Sequence, residues 1–169
     1  MKLTARFALV ACLASGVALA QTVRVKWERG TDFSKYQTYT WHDEPYDDVD
    51  DIIDQIIVDH VDSVMSINGI FRDDYEPDIF ITYHGSAEES FEIQGEYRAD
   101  WSSPGAITID GHRAGTLVVD IVDVDGNHVL WRGIATATVQ REPRKNRQIV
   151  INALTKMFES FPPPPPRKR

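Results

Sequence analysis

A single cysteine, Cys12, stands in the 169-residue chain, so no internal disulfide can form and metal sites built on several thiolates are excluded. Long apolar runs are equally scarce. Beyond residue 20 no stretch approaches the roughly 18 consecutive apolar residues of a membrane-spanning helix, so no transmembrane span is expected. Positive charge is in deficit, with 18 Lys and Arg against 26 Asp and Glu and a formal net charge of −8. Nucleic acid, whose phosphates must be met by clustered cations, is therefore excluded as a partner. The short catalytic signatures H-E-x-x-H and G-x-S-x-G are absent, as is the phosphate-binding loop. Five histidines, His42, His60, His84, His112 and His128, lie scattered, with no pair spaced to aim two imidazoles at one metal. No cofactor and no catalytic residue is indicated.

What is present begins with the first twenty residues. Lys2 and Arg6 give a charged start, residues 7–20 are almost wholly apolar, and Ala18-Leu19-Ala20 precedes Gln21. This pattern reads as a secretory signal peptide cut after Ala20, which sends the protein to the periplasm or cell envelope and discards Cys12. The alternative is a lipoprotein box at Leu9-Val10-Ala11-Cys12, with cleavage before Cys12 and a lipid anchor. Only a few apolar residues separate Arg6 from Cys12, short of the roughly 7–15 of a signal core, and the apolar run continues past it. The plain cut is favoured. It removes two basic residues and no acidic ones, leaving sixteen against twenty-six, a balance of −10.

Residues 23–27 alternate with Val23, Val25 and Trp27 on one face, and residues 36–41 resume an aromatic and β-branched run, so two strands are expected. Residues 42–51 form an acidic loop containing Pro45. Ile53, Ile56, Ile57, Val61 and Val64 then recur at a period near 3.6, which predicts a helix ending at Asn68-Gly69. A strand is predicted at 78–84, a polar break at 85–90, an irregular strand at 91–101, and a hairpin of 116–124 with 128–138 around Asp125-Gly126-Asn127. Residues 141–147 form a basic linker. Val150, Ala153, Leu154, Met157, Phe158 and Phe161 then mark a last helix, stopped by the prolines of 162–166. Short turns and only two helices indicate an α+β fold: a mainly antiparallel β-sheet with two helices packed on one face. The organisation is a signal peptide at 1–20, one α+β domain at 21–161 and a Pro-rich basic tail at 162–169.

Several of these segments together resemble a known family. Val23-Arg24-Val25-Lys26-Trp27 with residues 32–41, the 77–84 strand, Gly115-Thr116-Leu117-Val118-Val119-Asp120 with Val129-Leu130-Trp131-Arg132-Gly133, and the last helix running into Phe161-Pro162-Pro163 occur in the same order in the bacterial envelope family known as domain of unknown function 4136. The resemblance implies a signal-bearing, often lipid-anchored envelope protein of α+β fold with no assigned activity. It implies no catalytic residue.

Candidate chemistry is limited. Asp43, Glu44, Asp47, Asp48, Asp50, Asp51 and Asp54 could gather oxygens around Ca²⁺, although a solvated loop followed by a favourably charged helix start explains them better. Asp120, Asp123 and Asp125-Gly126 match half of a calcium loop but read more simply as a hairpin turn. Glu88, Glu89, Glu92 and Asp100 could supply a carboxylate pair to an envelope hydrolase. His60 falls on the apolar side of its helix as a boundary residue. Trp27, Tyr39, Trp41 and Trp131 are the candidate ligand-contacting aromatics, with core packing as the simpler role, Trp131 inward and Arg132 outward. The tail offers Arg167, Lys168 and Arg169 at the tip of a stiff proline segment, suited to an anionic envelope surface or an envelope protein. The sequence thus points to a non-enzymatic binding or structural module of the envelope, with a carboxylate hydrolase or a Ca²⁺-binding module as alternatives.

Overall fold

The computed structural model describes residues 21–42, 49–94 and 108–164, excepting the side chains of 89–94 and 108–112. The expected signal peptide with Cys12, the acidic residues at 43–48, Asp100, Trp101, and Arg167 to Arg169 lie outside the described residues. Six strands, β1 (Thr22–Trp27), β2 (Thr38–Trp41), β3 (Phe71–Arg72), β4 (Ile79–Gln94), β5 (Thr108–Asp123) and β6 (His128–Val139), form one sheet in the order β1-β6-β5-β4-β2-β3. Two helices, α1 (Asp51–Ile67) and α2 (Arg147–Phe158), pack on one face of it. The fold is α+β with a mostly antiparallel sheet. The pairs β1·β6, β6·β5 and β5·β4 are antiparallel.

The parallel exceptions, β2 with β3 and with β4, have a topological cause. Between β2 and β4 the chain runs back along α1, so β4 enters the sheet in the direction of β2, as a crossover helix requires. Asp78 fixes this junction: its carboxylate accepts the backbone N–H of Gln37 at 2.7 Å and of Thr38 at 3.1 Å.

Helix α1 is closed at both ends by its own sequence. The Asp50 carboxylate accepts the Ile52 N–H at 3.0 Å, and Asp51 and Asp54 occupy the first turn, where the helix dipole favours negative charge. At the other end Gly69 takes φ +76°, and the N–H groups of Ile70 and Gly69 donate to Met65 O at 3.0 Å and Ser66 O at 3.1 Å. This is the Schellman closure that glycine permits. Buried Ile70 and Met65 supply its apolar contact.

The inner face of the sheet is read in rows. Trp27, Trp131, Ile121, Ile81 and Trp41 lie in register across β1, β6, β5, β4 and β2. Val25, Gly133, Val119 and Tyr83 form the next row, then Val23, Ala135, Leu117 and Gly85, and finally Ala137, Gly115 and Ala87. Large side chains thus fill one end, where Trp131 is 1% exposed and stacks on Phe158 at a centroid distance of 4.7 Å. Side chains shrink toward the other end.

Several elements differ from the sequence expectation. The polar break at 85–90 is absent, because β4 runs unbroken to Gln94 against an equally long β5. Pairing of β4 with β5 along all sixteen residues supplies a continuous ladder on that side, which outweighs the low strand propensity of Gly85, Ser86 and the glutamates. Strand β3, two residues long, was not anticipated. Helix α2 starts three residues earlier, after a 3₁₀ turn at Pro143–Asn146 within the basic linker. In the hairpin turn it is Asn127, at φ +46°, that takes the left-handed conformation, and not Gly126. Pro163 is buried, so packing continues two residues past Phe161.

Candidate functional site

The four candidate aromatics do not converge. Tyr39 and Trp41 stand on β2, separated from Trp131 on β6 by two intervening strands, β5 and β4. Tyr39 is buried and its hydroxyl donates to Asp62 of α1 at 2.8 Å, while the Trp41 ring N–H donates to the same oxygen at 2.9 Å. Tyr83, against which Trp41 packs edge-on, donates to Asp54, about two helical turns upstream of Asp62. Asp54 and Asp62 stand eight residues apart along the helix, so α1 turns both carboxylates to the aromatic residues of β2 and β4. These contacts seal the helix to the sheet. Burial, reinforced by Asp62, raises the Tyr39 phenol well above its ordinary value. Trp131 lies in the core among Phe158 and Phe161, and Trp27, beside it on the edge strand at the end of the same inner-face row, is 44% exposed.

The remaining candidates are likewise spread out. Asp50 caps α1 and Asp54 binds Tyr83. Asp120 is 5% exposed and forms a bidentate pair with Arg132 on the outer sheet face, both bonds 2.6 Å. Asp123 accepts the Tyr36 hydroxyl at 2.8 Å and closes the hairpin through the Gly126 N–H. Glu88 is exposed. His60 is partly buried, and that burial lowers its pKa. Among the described residues no three His, Cys, Asp or Glu side chains are grouped to hold a metal, and no helix is long and apolar enough to cross a membrane.

A site does arise where the inner rows run to small residues. Gly85, Gly115, Ala135 and Ala137 floor a cavity of about 200 Å³. Ile53 and Ile57 of α1 form one wall and Ile149, Val150 and Ala153 of α2 the other. The two helices, seated on the tall Trp131 end, cannot collapse onto the low end, so the space stays open. Its mouth is polar. Gln21, Asp50, Arg113, Gln140, Arg141 and Asn146 surround it. Gln21 donates to Ile149 O at 3.0 Å, and Asn146 exchanges two 2.8 Å bonds with the Gln140 backbone, which fixes the linker across the rim. The N-terminus of α2 opens here without a side-chain cap or an acidic residue in its first turn. Asp50 is the one carboxylate in the described lining, which holds no histidine, so this wall can enclose an apolar group but presents no acid–base pair. A broader depression of about 620 Å³ lies between Phe33, Tyr36, Ile70, Phe71, Pro162 and Pro163. It is framed by surface turns instead of the sheet and helices.

Sequence reasoning missed the cavity. The available signal was the alternation Gly133, Ala135, Ala137 on the inward side of β6, opposite Gly115 of β5.

A family model described as a domain of unknown function, DUF4136, matches residues 23–163. The chain belongs to this family. The match covers the six strands except Thr22, both helices of the DUF4136 domain, and the cavity lining except Gln21. No curated protein matches the sequence. Among solved structures, a PDZ domain protein from Parabacteroides distasonis is similar at 15% identity and a TM-score of 0.58 over 85% of this chain. The chain spans 36% of that protein's length, and the likeness is one of fold. A PelC dodecamer from Paraburkholderia phytofirmans is 13% identical over 82% of this chain and 96% of its own, with a TM-score of 0.48.

Proposed function

We propose that this DUF4136 protein is a non-enzymatic binding module of the bacterial cell envelope, exported by residues 1–20 and using the cavity between α1, α2 and the small-residue end of the sheet as its binding site. One observation carries the reading: apolar walls meet a rim of fixed polar groups, the composition expected of a site that encloses part of a ligand and orients the rest. The signal-like start of the sequence supports the location.

The test uses the purified protein and an organic extract of the cell envelope. The extract is expected to raise the unfolding midpoint, since a ligand that binds only the native state must stabilise it. Ala137→Leu, which fills the cavity, should abolish the shift. Assays for glycosidase and peptidase turnover run beside it. Turnover that disappears with a single Asp or Glu substitution would overturn the non-enzymatic reading, and a midpoint shift untouched by Ala137→Leu would move the site elsewhere.

A further inference from the structure

We infer that the cavity takes the alkyl chain of a single-chain amphiphile and selects it by chain length, whatever the charge of its head group. This rests on the cavity being the binding site and adds the chemistry of the ligand and the basis on which it is chosen.

Volume and length together point to a chain. At about 200 Å³ the space exceeds the roughly 150 Å³ apolar cavity that stays dry and holds benzene, yet falls below the roughly 300–1,000 Å³ of sites that engulf whole drug-sized molecules. Its lining follows β5 from Arg113 to Leu117 and β6 from Ala135 to Val139, four residue steps on each strand, or about 13 Å at roughly 3.3 Å per step. A single ring would leave most of that length empty. Fused rings long enough to fill it, or the paired tails of a diacyl lipid, would need more volume. One alkyl chain meets both limits.

The walls decide the next point. The side chains of Ile53, Ile57, Leu117, Val139 and Val150 offer a sugar or a peptide group no hydrogen bonds. Each methylene that leaves water among them gains about fourfold in affinity, the equivalent of about 0.8 kcal/mol.

The rim, by contrast, is closed upon itself. Asp50 accepts the Ile52 N–H, Gln21 donates to Ile149 O, and Asn146 exchanges two bonds with the Gln140 backbone. Arg113 and Arg141 have partners of their own, and Glu89 stands opposite Arg113 in the register of β4 and β5. In the adjoining turn Lys145 pairs with Glu142 at 2.8 Å. A charged head of either sign would only trade one exposed pairing for another, an exchange worth little in water. The head group therefore stays in solvent at the mouth, and the buried chain sets the affinity.

Calorimetric titration of the purified protein tests this with hexanol, octanol and decanol as a length series, and with decanoate and decyltrimethylammonium as charged partners of decanol. Salt is held at about 0.15 M, so that the net charge of −8 is screened. Affinity is expected to rise about fourfold per methylene from hexanol to octanol, and the three decyl probes should agree within about threefold. Cholate, a fused-ring amphiphile, should not bind, and the protein should not float with vesicles of neutral phospholipid. Ala137→Leu should abolish binding of every alkyl probe; because that variant could misfold, amide shift changes on the unaltered protein give a second check and should centre on Gly115, Ala135 and Ala153. Affinity independent of chain length, a tenfold preference for either charged head, or cholate binding as tight as decanol would each overturn the inference while leaving the cavity as a binding site. Shift changes centred elsewhere would overturn both. Flotation without decanol binding would replace the inference with a membrane-surface role, and binding of none of the alkyl probes would end it, leaving the underlying reading to the envelope-extract experiment.

Discussion

Trp131, Arg132 and Gly133 show how three neighbouring residues divide the work of one strand. The Trp131 ring is inward and 1% exposed, stacked on Phe158 and edge-on to Phe161. Arg132 points outward, where it neutralises the buried Asp120 carboxylate. Gly133 leaves room for the ring: a Cβ there would sit 2.7 Å from Trp131 and 2.9 Å from the Met157 sulfur. Trp131→Ala is expected to cost about 3–5 kcal/mol, the range for emptying a buried aromatic site. Gly133→Ala should cost about 1–3 kcal/mol by overpacking. Urea unfolding at neutral pH measures both, and an unchanged midpoint in either variant would contradict the packing described.

Tyr36 gives a pH signature at the same scale. Burial first, then its bond to Asp123, pushes its phenol from 10 up to about 12. The folded state therefore holds this proton more tightly than the unfolded chain, and the associated stability is complete below pH 10 and lost as pH rises to about 12. Asp123 is shifted down, by the Gly126 N–H first and the Tyr36 hydroxyl second, so its contribution is present above the ordinary carboxylate range and is lost in acid. Tyr36→Phe should consequently be less stable than the parent near pH 8, and the gap should close above pH 10. A constant gap across that interval would dismiss the assignment.

At the scale of elements, caps and clamps hold the parts in place. Asp50→Ala removes the acceptor for the Ile52 N–H and is expected to destabilise by about 1 kcal/mol, as helix caps do. Asn127, left-handed at φ +46°, should accept glycine at little or no cost, whereas a β-branched residue there should weaken the hairpin. Thermal midpoints of Asn127→Gly and Asn127→Val decide this, and equal values would mean the turn tolerates either backbone. The helix closure at Asn68-Gly69 was legible because the chemistry is local: one glycine, one left-handed residue, two hydrogen bonds. The length of β4 was not legible, because Gly85 and Ser86 become strand only through their partners Leu117 and Thr116, thirty or more residues away.

For the whole molecule, packing among the described residues runs to Pro163, which is buried, while Pro164 is exposed. Deleting residues 165–169 is therefore expected to leave stability within about 0.5 kcal/mol, as surface changes do. Deletion from residue 162 onward should instead lower the unfolding midpoint, because it uncovers Phe161 and the turn at Phe33, whose rings meet at 5.5 Å. If export follows the reading of the first twenty residues, intact-mass measurement should find Gln21 at the N-terminus. A lipid-modified Cys12 would refute that reading.

The periods of 2 and 3.6, the cap at Asp50, the stop at Asn68-Gly69 and the prolines after Phe161 were determined by the amino-acid sequence alone, since each depends on residues within a turn or two of one another. So was the α+β class, which follows from counting those elements. Only the tertiary structure decided that β2 and β4 run parallel, that Tyr39 and Trp41 bind one helix carboxylate while Trp131 packs three strands away, and that small residues of three strands fall into register. The cavity belongs to this second group. Gly85, Gly115, Ala135 and Ala137 are unremarkable where they stand in the chain, and they become a pocket only when strand pairing aligns them and the bulk of Trp131 at the far end keeps two helices from closing over them.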